Sequence, residues 1–458
     1  MLAAFMSSHG WDAQGQSVPE NLAALIQTDS RKVEKGQWFV PIIGENHDGH
    51  DYIQKADKMG AAGFLYARSS KKIPPALKAR GIAVEDTTRA LQDLAQWWRA
   101  QHREVQVVGI TGSSGKTSVK ELCAEMLSSI APTLKTVGSL NNELGVPLTL
   151  LQLTGAHKFA VIEMGARHQG DISFLTQIVR QNVGVLLNVG TAHIGEFGGR
   201  EQVLAAKMEI AETNSAVYFR DDERIHQSMQ ARPGLSARLS FGRHPEADVR
   251  IVSDRCDSQG QLELELTIQG EPLALVLPYF HEVYAINVAT ALAVARSLGL
   301  PIAASLQGLK RYTGIKGRFQ VHRLPAFTLI DDAYNANPQS MRAGLETLGK
   351  AFTDSKKILI LGDMRELGEE TEQAHRDIGA YCAQEVKPEL LITVGESSQW
   401  IEDEALAHGL SRERVLHYKN VEAVLPHLKD IGRRDDLLYV KASNGLKLFK
   451  IIDTLLTA

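Results

Sequence analysis

Cysteine is scarce in this chain: Cys123, Cys256 and Cys382 are scattered, and their number is odd. A disulfide framework or a thiolate metal site needs several cysteines at short paired spacings, so both are excluded as organising devices and a reducing compartment is expected. Positive charge is not in excess either. With 50 Lys and Arg against 54 Asp and Glu, the formal net charge is -4, which argues against a general nucleic-acid or membrane surface. No Lys or Arg precedes Arg31, so the opening segment lacks the basic stretch that begins a secretory signal. No uncharged apolar run approaches the roughly 18 residues a membrane-spanning helix needs. A cytoplasmic monomer with neither nucleic acid nor membrane as partner is the expectation.

What is present is an ordinary globular composition, 44% hydrophobic and 23% charged over 458 residues. At about 150 residues per domain, such a length predicts roughly three domains. Residues 1–104 carry short strand-like runs, "GQWFVPII" and "AGFLYA", between loops rich in Gly, His and Asp. They read as a small α/β domain. From Val105 the pattern becomes strand, glycine turn and helix, then the apolar runs "FAVIEMG" and "VGVLLNVG", as expected of a parallel sheet buried on both faces. Alternation in "LELELTI" and "LALVLP" predicts a hairpin insertion between Asp248 and Pro278, and "INVATALAVARSLG" a closing helix. A third region, 313–458, has four further apolar runs, "FTLIDDA", "KILILGDM", "LLITVG" and "LLYVKAS". These predict a second doubly wound sheet of Rossmann type, leaving 105–312 as the central domain.

The chemistry is announced by "VVGITGSSGKTSVKEL", Val107–Leu122. An apolar strand breaks into Gly, Ser and Thr and resumes as a helix, which is the context of a phosphate-binding loop. Gly112 and Gly115 are closer together than in the usual G-x-x-x-x-G-K-[ST] form. Amides around Ser113, Ser114 and Gly115 are expected to face an anion, with the helix dipole behind them. Lys116 would meet the outer phosphates and the Thr117 hydroxyl would hold Mg²⁺. Alone, the motif says mononucleotide and leaves the reaction open.

In open α/β sheets ligands bind beyond the carboxyl ends of the strands. Glu163 follows "FAVI" and His193 follows "LLNVGTA", so both could project there as magnesium ligands. A single histidine is more often structural, and Lys207 in "VLAAKMEI" reads by itself as a solvated lysine.

The strings "TGSSGKTSVKE", "LNNELGVPLTLL", "VIEMGARHQGDI", "VGTAHIGEFGG", "DDAYNANPQSM" and "LGDMRELGEE", in this order and with His375 following, resemble the ATP-dependent Mur ligases. "TDSRKVEKGQWFVPIIGENHDGHDYI" extends the resemblance into the first region, so it covers nearly the whole chain. The match is to the branch that adds D-alanyl-D-alanine to UDP-N-acetylmuramoyl tripeptide. The resemblance implies three domains: a small α/β domain for the UDP end of the substrate, a central P-loop ATPase-like parallel sheet, and a C-terminal Rossmann-like domain. It implies ATP bound by Gly112, Ser113, Ser114, Gly115, Lys116, Thr117 and Ser118, with Asn287, Arg318, Asp332, Asn335 and Asn337 completing the nucleotide site. One Mg²⁺ would lie on Thr117 and Glu163, and a second on Glu163, His193 and a carbamylated Lys207. Lys116, Glu163, His193 and Lys207 would thus be the catalytic set. Ser30 and Arg31 would take the uridine diphosphate, and Asn141 and Asn142 the sugar-peptide part. The chain departs from the family at "HEVYAIN", where only Asn287 of an adenine-fixing motif remains, and at Ser139, Met208, Arg220, Ala333 and "KASNGL". A sibling ligase, including a polyglutamate type, a non-catalytic nucleotide-binding relative and a P-loop GTPase or kinase are the other readings. Retention of the two-metal set counts against the scaffold, and the two other domains count against the last.

Overall fold

A computed structural model describes residues 1–14, 17–190, 199–257, 261–279, 283–352, 355–430 and 436–457. The chain divides into two compact units, Met1–Asp248 with Thr290–Gly308, and Val249–Ala289 with Leu309–Ala458.

The first unit holds two parallel arrays. β1 (Ile26–Gln27), β2 (Trp38–Phe39), β3 (Gly63–Ala67) and β4 (Gly81–Val84) pair in that order, every neighbour parallel. Helix α1 (Thr87–Gln101) follows, started by Asp86, whose side chain accepts from Arg89 N–H. Ala90, Leu91, Leu94 and Ala95 form its buried stripe, in one core with Val107, Leu150 and Ile162 of the next array. Arg99 is buried beside them and donates to the carbonyl of Val179 at 3.0 Å. The junction near residue 104 is therefore packed, which is why both arrays fall in one unit.

The second array comprises β5 (Gln106–Thr111), β6 (Thr133–Lys135), β7 (Phe159–Glu163), β8 (Val183–Leu186), β9 (Ser215–Phe219) and β10 (Ala237–Gly242). The order β10-β9-β8-β5-β7-β6 is parallel throughout. All of β7 and β8 is buried, as their continuous apolar runs predict. The chain leaves β5 toward β6 and β7 and returns to β8 on the other side, so the winding reverses at β5. Ligands bind at such a switch point, outside the carboxyl ends of the strands. Helices α2 (Lys116–Ser128), α3 (Gly145–Leu150), α4 (Asp171–Val179) and α5 (Arg200–Met208) connect the array.

In the second unit the predicted hairpin is present as β12 (Leu262–Ile268) and β13 (Glu271–Leu277), but β11 (Val249–Cys256) makes it a three-stranded antiparallel meander. The sequence hides β11 because its alternation breaks at a register shift between Ile251 and Ser253. The closing helix is present at Val283–Ser297. A six-stranded sheet runs β14 (Gln320–Arg323), β15 (Phe327–Asp332), β19 (Asp436–Lys441), β16 (Lys356–Gly362), β17 (Leu390–Val394), β18 (Val415–Tyr418). All pairings are parallel except β14 on β15. Apolar clusters lie on both its faces, as a doubly wound sheet requires. The four predicted strands are all there. β14 and β18 were not expected, being four-residue edge strands with partly exposed residues. Among the described residues no helix is long and apolar enough to cross a membrane. Cys123 and Cys382 are buried, and burial pushes both thiols up to about 12, so neither is a reactive thiolate.

Candidate functional site

β5 ends at Thr111 and α2 starts at Lys116; the turn between them depends on its glycines. Gly115 has φ +80, and a Cβ on Gly112 would lie 2.9 Å from the Leu187 Cβ. Asn188, just past β8, clasps this turn. Its carbonyl accepts from Ser113 N–H (3.1 Å), its Oδ1 from Ser114 N–H (3.0 Å), and its Nδ2 donates to the Ser114 carbonyl (3.1 Å). The Ser113 hydroxyl in turn accepts from Gly190 N–H at 2.9 Å. The Ser113 and Ser114 amides, expected to face an anion, both donate to Asn188 in this structure. At the start of α2 helix geometry leaves the first N–H groups without carbonyls four residues back, the arrangement that suits an anion. Lys116 folds back so that its Nζ donates to the Gly112 carbonyl at 2.7 Å.

Glu163 closes β7 and is 1% exposed. Its N–H donates to the Thr136 hydroxyl (3.0 Å) and its Oε1 accepts from Asn141 Nδ2 (2.8 Å). Its Oε2 is buried with no hydrogen-bond partner among the described residues; Lys120 Nζ stands 4.0 Å away. A buried carboxylate oxygen without a donor costs about 1–3 kcal/mol or more, and a hard cation is the partner that removes the cost. This orphaned oxygen is the observation by which Mg²⁺ fits the site.

Lys207, near the end of α5, is 3% exposed. Burial, and next the charge of Lys116, lower its pKa to about 7, against the opposing pull of Asp171 and Glu209. It is not the solvated lysine that its type suggests. Met208 is buried in the main core. His193 lies outside the described residues. Among the described residues no three His, Cys, Asp or Glu side chains gather as a metal cluster; of the predicted set of Thr117, Glu163, His193 and Lys207, only Glu163 is both of those types and among the described residues.

Of the residues expected at the substrate, Asn141 is engaged with Glu163, and its loop lies close against the chain after β7. Gly165 N–H donates to the Asn141 carbonyl at 2.8 Å, and a Cβ on Gly165 would come within 2.9 Å of the Asn141 Oδ1. Asn142 Oδ1 accepts from Gly145 N–H (2.9 Å) at the start of α3. Ser30 is buried; Arg31 is exposed and pairs in bidentate fashion with Asp29, at 2.9 and 2.8 Å.

In the second unit, Arg318 stacks over the Tyr334 ring at 4.5 Å. Asp332 is enclosed: Oδ2 accepts from Tyr439 O–H (2.8 Å) and Lys441 Nζ (2.6 Å), Oδ1 from Phe319 N–H (3.1 Å). Asn335 Oδ1 accepts from Ala336 N–H, and Asn337 caps α6 (Pro338–Ala351) in a reciprocal box with Ser340. Asn287 is buried in the helix Val283–Ser297. In the "LGDMRELGEE" turn, His375 on α7 (Thr371–Tyr381) accepts from Met364 N–H (2.9 Å) through Nε2 and donates Nδ1–H to the Thr371 carbonyl (2.6 Å). That fixes a neutral imidazole, and burial lowers its pKa accordingly. Asn188, Thr136 and Lys120 are the site residues that sequence reasoning missed.

Three family models match the chain: the Mur ligase family, catalytic domain, over residues 22–99; the Mur ligase middle domain over 110–295; and the Mur ligase, glutamate ligase domain, over 317–444. A UDP-N-acetylmuramoyl-tripeptide--D-alanyl-D-alanine ligase of Bacillus subtilis is 32% identical over 94% of this chain and 93% of its own length. The Escherichia coli ligase of that name is also 32% identical, with the same coverage. Among solved structures, MurF from Acinetobacter baumannii superposes with a TM-score of 0.87 at 30% identity, covering 100% of this chain and 98% of its own. MurF ligase from Thermotoga maritima in complex with ADP gives 0.81 at 28% identity, covering 95% and 98%. The three-domain architecture thus has its counterpart in solved MurF structures, and the chain belongs to the Mur ligase family.

Proposed function

We propose that this protein is an ATP-dependent ligase that joins D-alanyl-D-alanine to UDP-N-acetylmuramoyl tripeptide, releasing ADP and phosphate, in the synthesis of peptidoglycan precursor. The names of the relatives at 30–35% identity support this reading, and the buried, half-satisfied carboxylate of Glu163 beside a phosphate loop is the observation in the molecule that carries it.

An anionic carboxylate is a poor acyl donor, because oxide would have to leave. In the first step a carboxylate oxygen of the tripeptide attacks the γ-phosphorus of ATP and the bond to ADP breaks. In the second, the dipeptide amine attacks the resulting acyl phosphate, the C–O bond to phosphate breaks, and the nitrogen loses a proton as the amide forms. The start of α2 and Lys116 hold the phosphates, so that catalysis is chiefly positioning and electrostatics. Asn188 keeps the loop in shape for them. Thr117, Glu163, His193 and Lys207 would hold Mg²⁺ at two sites, and the metal supplies charge neutralisation on the transferring phosphoryl group. Lys207 would serve as its carbamate: an amine with its pKa near 7 is largely neutral at pH 8 and can take up CO₂, giving the anionic oxygen that Mg²⁺ prefers.

Within the same reading, Ser30 and Arg31 bind the uridine diphosphate, and Asn141 and Asn142 line the sugar-peptide part through their backbone and remaining side-chain groups. Ser118, Asn287, Arg318, Asn335 and Asn337 complete the ATP site. Domains at 1–104, 105–312 and 313–458, a monomeric state and a cytoplasmic location belong to it as well. The test is phosphate release from ATP with Mg²⁺, tripeptide and dipeptide, each omitted in turn, with the product followed by mass. Release that needs every component, with the pentapeptide mass, is the expected result. Release without the dipeptide, or a product of another mass, would move the assignment to a sibling ligase.

A further inference from the structure

Lys120 lies on α2, four residues after Lys116, and has no exposed surface. Lysines are rarely found so, because a buried ammonium must be fully paired. Here it donates to the carbonyls of Thr136 (2.7 Å) and Gly138 (3.1 Å) and pairs with Glu121 Oε1 at 2.8 Å. One side chain thus ties the phosphate-loop helix to the segment that leads from β6 to Asn141. Thr136 is shared, since its hydroxyl also accepts from Glu163 N–H. At 4.0 Å from Glu163 Oε2, the ammonium is too far for a hydrogen bond and close enough for its charge to be felt.

We propose that Lys120 is a positioning residue for the metal-holding carboxylate. By anchoring Thr136 to Asn141 it sets Glu163 so that Asn141 engages Oε1 while Oε2 is left for a cation. Its charge, shared with Glu121, also tunes how strongly Glu163 attracts that cation. The inference rests on the reading of Glu163 as a Mg²⁺ ligand. A lysine that merely staples α2 to β6 would account for the two carbonyl bonds. It would give no reason for removal of the Glu121 charge to reach the metal. If the ammonium is less neutralised, more of its field falls on Glu163, and the cation is held less well.

The test uses the full chain and calorimetric titration of ADP with and without Mg²⁺, comparing wild type with Lys120→Met and Glu121→Gln. Hydrogen exchange of residues 136–142 in the protein without nucleotide gives a readout independent of turnover. The expected result is ADP affinity within about twofold throughout when Mg²⁺ is absent, and a Mg²⁺-dependent gain reduced about tenfold in both variants. Exchange at 136–142 should quicken in Lys120→Met and stay near wild type in Glu121→Gln. An unchanged Mg²⁺-dependent gain in Glu121→Gln overturns the proposal even if Lys120→Met fails to fold. Absence of any Mg²⁺-dependent gain in wild type would instead remove the metal reading of Glu163, and the proposal with it.

Discussion

Among the described residues, a buried lysine–carboxylate pair stands at a strand end in each unit, Lys120 with Glu163 and Lys441 with Asp332, and the two are finished differently. At the end of β15, Asp332 accepts from Tyr439, Lys441 and Phe319, while Lys441 gives a further hydrogen to the Asn335 carbonyl at 3.3 Å. Burial, and then the neighbouring Asp332 charge, hold the Tyr439 hydroxyl well above its ordinary pKa. At the end of β7, Glu163 has one oxygen engaged and one without a donor among the described residues, and its lysine spends itself on two carbonyls and another glutamate. A closed pair is architecture, because each carboxylate oxygen has its donor inside the fold. An open pair is a site, because the cost of the orphaned oxygen persists until something binds. By this criterion Asp332 holds β15, β19 and the turn after Arg318 together.

Substitutions that keep shape and remove charge should separate the two. Asp332→Asn leaves Lys441 buried without its counter-charge, and is expected to cost about 3–5 kcal/mol of stability, read from urea unfolding of the full chain. Glu163→Gln keeps the acceptor for Asn141 and removes the charge a metal would need. Its turnover in phosphate release is expected to fall about 10²–10³-fold, with a weaker dependence on Mg²⁺ and a urea midpoint near wild type. If Glu163→Gln were as unstable as Asp332→Asn and still turned over, the distinction between closed and open pairs would fail.

The same contrast explains what could be read beforehand. Strands buried on both faces announce themselves as apolar runs, so β5, β7, β8, β15, β16, β17 and β19 were legible, whereas β11, β14 and β18 have a solvated face or edge and were not. The Gly-Ser-Gly-Lys-Thr turn was legible because strand and helix flank it. Its clasp was not, since an asparagine at a strand end reads equally as a turn residue. Asn142 and Asn337 show the ambiguity from the other side: Asn142 accepts from the first N–H of α3 and Asn337 caps α6, each with the oxygen that a ligand would use. Lys120 and Lys207 were opaque for a single reason. The prior for lysine is solvation, and only packing reveals that these two are buried.

A smaller effect is expected from the clasp. Asn188→Ala removes three side-chain hydrogen bonds with Ser114, to its N–H, its hydroxyl and its carbonyl, the hydroxyl bond being long at 3.4 Å, while leaving the backbone bond to Ser113 in place. At about 0.5–1.5 kcal/mol for each bond, ADP binding should weaken about tenfold in calorimetry. Full affinity would mean that the glycines alone shape the loop.

The smallest expected effect concerns Lys207, whose amine is the part of the open site that should respond to pH. In the unfolded chain it titrates near 10.4, and in the native protein near 7. Between these values the unfolded chain binds more protons, so stability rises with pH there. The contribution is complete above the unfolded value and is lost as pH falls toward 7, where the buried amine takes up its proton. In CO₂-free buffer, wild type should therefore gain up to about 1 kcal/mol from pH 7 to pH 8 relative to Lys207→Met, measured by urea unfolding. Adding CO₂ at pH 8 should stabilise wild type further, since CO₂ joins only the neutral amine and the native state is the one that holds it neutral. Lys207→Met should not respond. A difference that stays flat with pH and with CO₂ would mean that Lys207 keeps an ordinary ammonium, which would repel a cation rather than help to hold it.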